Sequence, residues 1–117
     1  MTLKEIAENL SLQALTPEIS AGDSTPVSGG HATDLLSDVL AHAPRGGVLI
    51  TIQGHMNVVA VAVHAELAAV IFAGGRMPES AVREKALQER IPLYLSKEST
   101  FDIAGKLYAL GLRGHHA

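Results

Sequence analysis

Cysteine is absent from the 117-residue chain, which excludes a disulfide framework, a thiol nucleophile, a zinc–cysteine site and a cysteine-held iron–sulfur cluster. Tryptophan is absent too, and aromatic residues make up only 3% of the sequence. A core must then be built from Ala, Val, Leu and Ile, a palette that suits helices packed closely on a sheet. Basic runs are missing: nine Lys and Arg are scattered among twelve Asp and Glu, for a net charge of −3. That balance lacks the electropositive footprint of a nucleic-acid binder. Apolar runs such as Val58 to Val63 fall far below the ~20 residues needed to span a bilayer. The first residues, Met1-Thr2-Leu3-Lys4-Glu5, bring an acid early and lack the apolar core of a signal peptide. No nucleic-acid or membrane role is expected, and the expected compartment is the cytoplasm. There is no Gly-x-x-x-x-Gly-Lys-Ser/Thr phosphate loop and no Gly-x-Ser-x-Gly elbow, so kinase and serine-hydrolase chemistry lack their machinery.

A chain of this length reads as one domain able to bury about two thirds of its unfolded surface, and 47% hydrophobic residues supply a core. Thr2 with Glu5 forms a capping box, and Leu3, Ile6, Ala7 and Leu10 recur on one helical face. Leu12 to Leu15 has strand character. Thr16 to Pro26, rich in Pro, Gly, Ser and Asp, is a loop, and Val27 to Ala32 is extended. A helix from Thr33 carries Leu35, Leu36, Val39, Leu40 and Ala43 and stops at Pro44. Val48 to Ile52 and Leu67 to Ala73 read as buried strands. Between them, the Val/Ala alternation of Asn57 to Glu66 fits a strand behind a Gln53-Gly54-His55 turn. A helix is preferred, because parallel neighbours need a crossover of about a dozen residues and Asn57 is a sound N-cap. Pro78 marks the first position of a helix with Val82, Ala86 and Leu87 inward. Ile91 to Leu95 is a strand, and Ser99 with Asp102 opens a last helix that Gly111 ends. The expected fold is α/β, a single-domain layered sheet with mainly parallel buried strands and flanking helices. Residues 1–111 form the domain, and 112–117 are a fraying tail.

Open α/β sheets bind ligands outside the carboxyl ends of their strands. Three loops are assigned there: Gly29-Gly30, Gln53 to Asn57, and Gly74-Gly75-Arg76. Glycine admits close backbone approach to an anion at a helix start, and Arg76 adds a fork of donors. Gln53 and Asn57 each donate and accept, and His55 is a candidate sensor or proton donor. Asp34 and Asp38, four apart, are placed on one helical face. There they either complement the helix dipole or, with His31 or His55, meet a cation or perform acid/base work. The six histidines, His31, His42, His55, His64, His115 and His116, lack any metal-ligand spacing, so neither metal nor cofactor is expected.

Ser28-Gly29-Gly30, then Asp34-Leu35-Leu36-Ser37-Asp38-Val39-Leu40, then Ile50-Thr51-Ile52-Gln53-Gly54-His55-Met56-Asn57-Val58-Val59-Ala60-Val61-Ala62 resemble the stand-alone DRTGG-domain proteins. The likeness continues through Ile91-Pro92 and Ala104-Gly105-Lys106-Leu107-Tyr108. The arginine expected before Ser28 is absent from Gly22-Asp23-Ser24-Thr25-Pro26. The resemblance implies a fold similar to the N-terminal domain of HPr kinase/phosphorylase, whose kinase chemistry belongs to a separate P-loop domain. DRTGG domains are also regulatory inserts in phosphotransacetylases and CBS-containing pyrophosphatases, and stand-alone versions often lie near iron-only hydrogenase genes. The expectation is a non-catalytic regulatory or interaction domain that senses a small anionic ligand such as a nucleotide. The alternatives are an adaptor for a redox (hydrogenase-type) enzyme system and a small enzyme using His55 with Asp34 or Asp38. A homodimer is expected as well, because the Val/Ala run and two apolar helices exceed what a small domain leaves in water.

Overall fold

The computed structural model describes residues 1–19 and 24–114. Thr2 starts the first helix as its sequence requires: its Oγ1 accepts from Glu5 N at 3.2 Å, and Thr2 N donates to the Glu5 carboxylate at 3.0 Å. In chain order the elements are α1 (Leu3–Asn9), β1 (Gln13–Ala14), β2 (Gly30–Ala32), α2 (Leu36–His42), β3 (Val48–Thr51), α3 (Asn57–His64), β4 (Ala69–Phe72), α4 (Ser80–Glu89), β5 (Leu93–Leu95) and α5 (Thr100–Ala109). The sheet order is β1-β5-β4-β3-β2. Strands β2 to β5 run parallel, and β1 is antiparallel at the far edge.

Because β2, β3, β4 and β5 are laid down side by side in one direction, right-handed crossovers place all three connecting helices on one face. There Val39 of α2, Val58, Val59 and Ala62 of α3, and Val82 and Ala86 of α4 pack on Leu49, Val70, Phe72 and Leu93. Alternate residues of the same strands, Val48, Ile50, Ala69 and Ile71, point the other way. They are covered by Leu3, Ile6 and Leu10 of α1 and by Ile103 and Leu107 of α5. The result is a three-layer α/β/α domain, and the Asn57–Glu66 segment is the helix preferred over a strand. Among the described residues no helix is long and apolar enough to cross a membrane.

Several boundaries differ from expectation. Helix α2 begins at Leu36, not Thr33, because the Thr33 hydroxyl accepts from Leu35 N at 3.2 Å and Asp34 turns to the neighbouring strand. Asp34 and Asp38 therefore do not share a helix. Pro78 precedes the N-cap Glu79 of α4. Asn57 is the first residue of α3 rather than its cap, and its N–H donates to His55 Nδ1 at 3.2 Å. The tail does not fray from its first residue: Leu112 is buried, and Arg113 O accepts from Gly30 N at 3.0 Å. His115 and His116 lie outside the described residues, as do Gly22 and Asp23 of the loop where the motif arginine was expected.

Candidate functional site

Strands β2 to β5 end on one edge of the sheet, and the loops that leave them are tied into a row. Asp34, just beyond β2, accepts from Thr51 Oγ1 at 3.0 Å and from Ile52 N at 2.8 Å at the end of β3. Gly54, on the next turn, accepts through its carbonyl from Glu79 N at 3.3 Å, joining the loops beyond β3 and β4. Gly74 N then donates to Glu98 O at 2.7 Å and Gly75 N to Ser96 O at 2.8 Å, joining the loops beyond β4 and β5. Both glycines sit at φ +67°, a left-handed conformation that a side chain would strain.

This edge brings together Asp34, Gln53, His55, Asn57, Gly74, Gly75 and Arg76. It does not include Gly29 and Gly30. Gly30 pairs with Val48, the first residue of β3, and Gly29 O accepts from Val48 N at 2.9 Å. The glycine pair therefore lies where β2 begins, at the amino edge, and the expected three-loop site reduces to two loops. The role foreseen for Gly74 and Gly75 also changes. Their N–H groups are engaged by Ser96 and Glu98, so they shape the turn and do not cradle an anion. Arg76, which follows, is exposed, and among the described residues it has no ion pair or side-chain hydrogen bond.

The segment beyond β5 was not singled out from the sequence. An open groove of about 460 Å³ lies there, lined among others by Asn9, Ser11, Gln13, Ser96, Lys97 and Lys106. Lys106 Nζ is 2.5 Å from Glu98 Oε1, whereas Lys97 is exposed. Ser96 joins this groove to the Gly75–Arg76 turn. The available signal was that Ser96-Lys97-Glu98 directly follows the strand Ile91 to Leu95, so it stood at a carboxyl end like the loops that were chosen.

The expected His55–carboxylate pairing is not formed. Asp34 is held by Thr51 and Ile52, and His55 Nδ1 accepts from Asn57. The close His–Asp contact is a different one: Asp38 Oδ2 lies 2.8 Å from His31 Nε2 and Asp38 Oδ1 lies 2.8 Å from His42 Nδ1. Hydrogen bonds from His31 first, then from His42, lower the Asp38 pKa. His31 stands on β2 and Asp38 on α2, so the contact clamps the helix to the edge strand. The two rings take opposite oxygens of one carboxylate, and among the described residues no His/Asp/Glu group is arranged to hold a metal.

Around the polar edge stands an apolar rim. Leu35, Ile52, Met56, Met77 and Phe101 are all exposed, and all lie on loops or helix starts that leave the carboxyl ends.

No protein-family model and no curated protein matches the chain. Among solved structures it is similar to the CBS and DRTGG domains of the regulatory region of Clostridium perfringens pyrophosphatase, complexed with the activator diadenosine tetraphosphate. The identity is 16% over 91% of this chain and 47% of that one, with a TM-score of 0.63. This chain thus spans about half of that neighbour, and the likeness is one of fold. It supports the α/β fold with a mainly parallel sheet that was expected from the sequence.

Proposed function

We propose that the chain is a non-catalytic DRTGG-type regulatory domain that binds a small anionic ligand of the nucleotide class at the carboxyl edge of its sheet. The observation that carries this is a pair of exposed basic side chains, Arg76 and Lys97, that have no ion pair among the described residues on an edge whose acids are Asp34, Glu79 and Glu98. Arg76 stands on the turn beyond β4, Lys97 and Lys106 line the groove beyond β5, and among the described residues only Lys106 of the three is met by a carboxylate, that of Glu98. Gln53 and His55 add directional hydrogen bonding on the same edge. The nucleotide activator of the pyrophosphatase regulatory region supports the ligand class.

A thermal-shift screen of mono-, di- and triphosphate nucleosides and diadenosine tetraphosphate tests this. A ligand at 100 times its dissociation constant raises stability by about 2.7 kcal/mol. Arg76→Ala and Lys97→Ala should each weaken it by ~1.5–3 kcal/mol, the worth of a hydrogen bond to a charged group, with the unliganded melting temperature unchanged. If no anion in the screen stabilises the fold, or if both variants bind as well as the parent, the proposal fails. Steady ATP turnover by the purified chain would instead support the enzyme alternative.

The apolar rim favours a second component of the function, contact with protein. Phe101 is 85% exposed, far more than solvation alone rewards. The occupant we assign is a second copy of the chain, giving a homodimer. An adaptor role toward a redox enzyme is the outcome to adopt if the chain is monomeric.

A further inference from the structure

After α5 the chain turns back onto the sheet. Gly111 makes the turn at φ +106°, Leu112 buries its side chain in the core beneath α1 and α5, and Arg113 arrives at the start of β2. There the Arg113 carbonyl accepts from Gly30 N at 3.0 Å. Gly30 N points off the sheet, because β2 bonds to β3 through Gly29 O and Thr33 N and the main-chain groups between them alternate in direction. An edge strand otherwise offers such a donor to other chains. The Arg113 side chain braces the segment from outside. Its Nη1 donates to Tyr108 O at 3.0 Å and to Leu112 O at 2.9 Å, and its guanidinium stacks 3.7 Å from the centroid of the Tyr108 ring.

The two glycines beneath this segment are not equivalent. A Cβ at Gly29 would lie 2.5 Å from Arg113 O and 3.3 Å from Pro44 Cγ. The first contact is an overlap with main chain, which no rotamer change relieves. A Cβ at Gly30 would meet only Val48, at 3.9 Å, an ordinary contact. Neither glycine has a positive φ, so close backbone approach is what position 29 demands. Ser28 fixes the seat to the loop before β3: its N–H donates to Gly46 O at 3.1 Å and its hydroxyl donates to Arg45 O.

We propose that Ser28-Gly29-Gly30 is the seat of a latch formed by residues 112–114, which fastens the last turn of α5 to the edge strand β2 and opens as a unit ahead of the sheet. Opening gives up the bond from Gly30 N and the burial of Leu112, whereas β2 keeps its bonds to β3. The sheet therefore survives an open latch, the condition for local rather than global unfolding. Gly29 decides whether the latch can close, and Gly30 supplies only its main-chain N–H. This gives the glycine pair a role at the amino edge that stands whether or not the carboxyl edge binds an anion.

Hydrogen exchange of the main-chain amides in the full chain is the test. Gly29→Ala should hold the latch open, so that the Gly30 and Leu112 amides exchange at least about tenfold faster while those of Thr33 and Val70 keep the parent rate. Its melting temperature should fall by about 4 °C or more. Gly30→Ala should match the parent in both readouts. Because Gly29→Ala also crowds Pro44, Arg113→Ala approaches from the other side. It removes the brace without touching Pro44 and should speed exchange at the same two amides. Combined, the two substitutions should cost less than the sum of their separate effects, since both act on one contact. Parent-like exchange at Gly30 in folded Gly29→Ala, equal effects of Gly29→Ala and Gly30→Ala, or additive costs in the pair would each overturn the latch. Should Gly29→Ala not fold, Arg113→Ala carries the test alone, and unchanged exchange at Gly30 and Leu112 is then the overturning result.

Discussion

Arg90 ends α4 in the left-handed conformation, at φ 58° and ψ 43°, with its N–H still closing the helix on Ala86 O. Glycine adopts that geometry without penalty, whereas a side chain costs on the order of 1 kcal/mol. The Arg90 side chain is exposed, so Arg90→Gly should raise stability by about 0.5–1 kcal/mol, read from the midpoint of urea denaturation at unchanged slope. Asp38 shows residue-scale control by pH. Its pKa in the folded chain lies below the ordinary 3.8 through hydrogen bonds from His31 and His42. The stabilisation is therefore present above pH 3.8 and is lost as pH falls through the lower folded value. Asp38→Asn should flatten that acid limb of the stability–pH curve while leaving its Glu-dependent part in place. Caps such as Thr2 and Ser99 were legible because their partners stand three residues away. The capping by His55 and the bonds of Asp34 to Thr51 and Ile52 were not. They depend on where the chain turns after β2 and β3, and no local spacing encodes that.

At the scale of elements, the inner strands announced themselves because β3 and β4 are buried on both faces and so read as unbroken Val, Leu, Ile and Phe. Phe72 lies at the centre of the sheet, fully buried between β3 and β5. Phe72→Ala should cost about 3–5 kcal/mol from lost transfer energy and the cavity left behind, measurable by denaturant unfolding. The placement of Gly29-Gly30 failed for an instructive reason. A glycine pair beside an extended run looks the same before or after the strand, and only register against Val48 assigns it to the amino edge. The opposite omission, Ser96 to Lys97, arose because a strand end without glycine was passed over, although position along the sheet matters more than residue type. Helix α3 was legible from the length of the crossover it had to make. Its apolar surplus was overestimated: Val58, Val59 and Ala62 are buried within the chain itself, under its own sheet and neighbouring helices.

For the whole molecule, that last point moves the expected association surface. Of the Val58 to Val63 run, only Ala60 and Val63 reach the exposed class, too little to drive assembly. The carboxyl edge instead exposes Leu35, Ile52, Met56, Met77 and Phe101. Apolar side chains grouped around polar ones are the usual composition of an interface, with most of the energy in a few anchors. A dimer formed there would bring the exposed Arg76 and Lys97 of two copies onto one interface, and a polyanionic ligand bound between them would relieve their repulsion, so ligand and assembly should stabilise each other. The chain is expected to dimerise at tens of micromolar, with the dimer fraction rising when a bound nucleotide is present. Phe101→Asp should weaken the dimer by about 2 kcal/mol or more without unfolding the protomer, because the side chain is already in solvent. Light scattering on the parent and this variant, with and without the best anion from the thermal screen, separates the possibilities. A parent that is monomeric in both conditions removes the homodimer and leaves the rim to a different protein. A dimer indifferent to Phe101→Asp places its interface elsewhere, with the outer face of α2 and α3 around Leu40 and Val63 as the next surface to test.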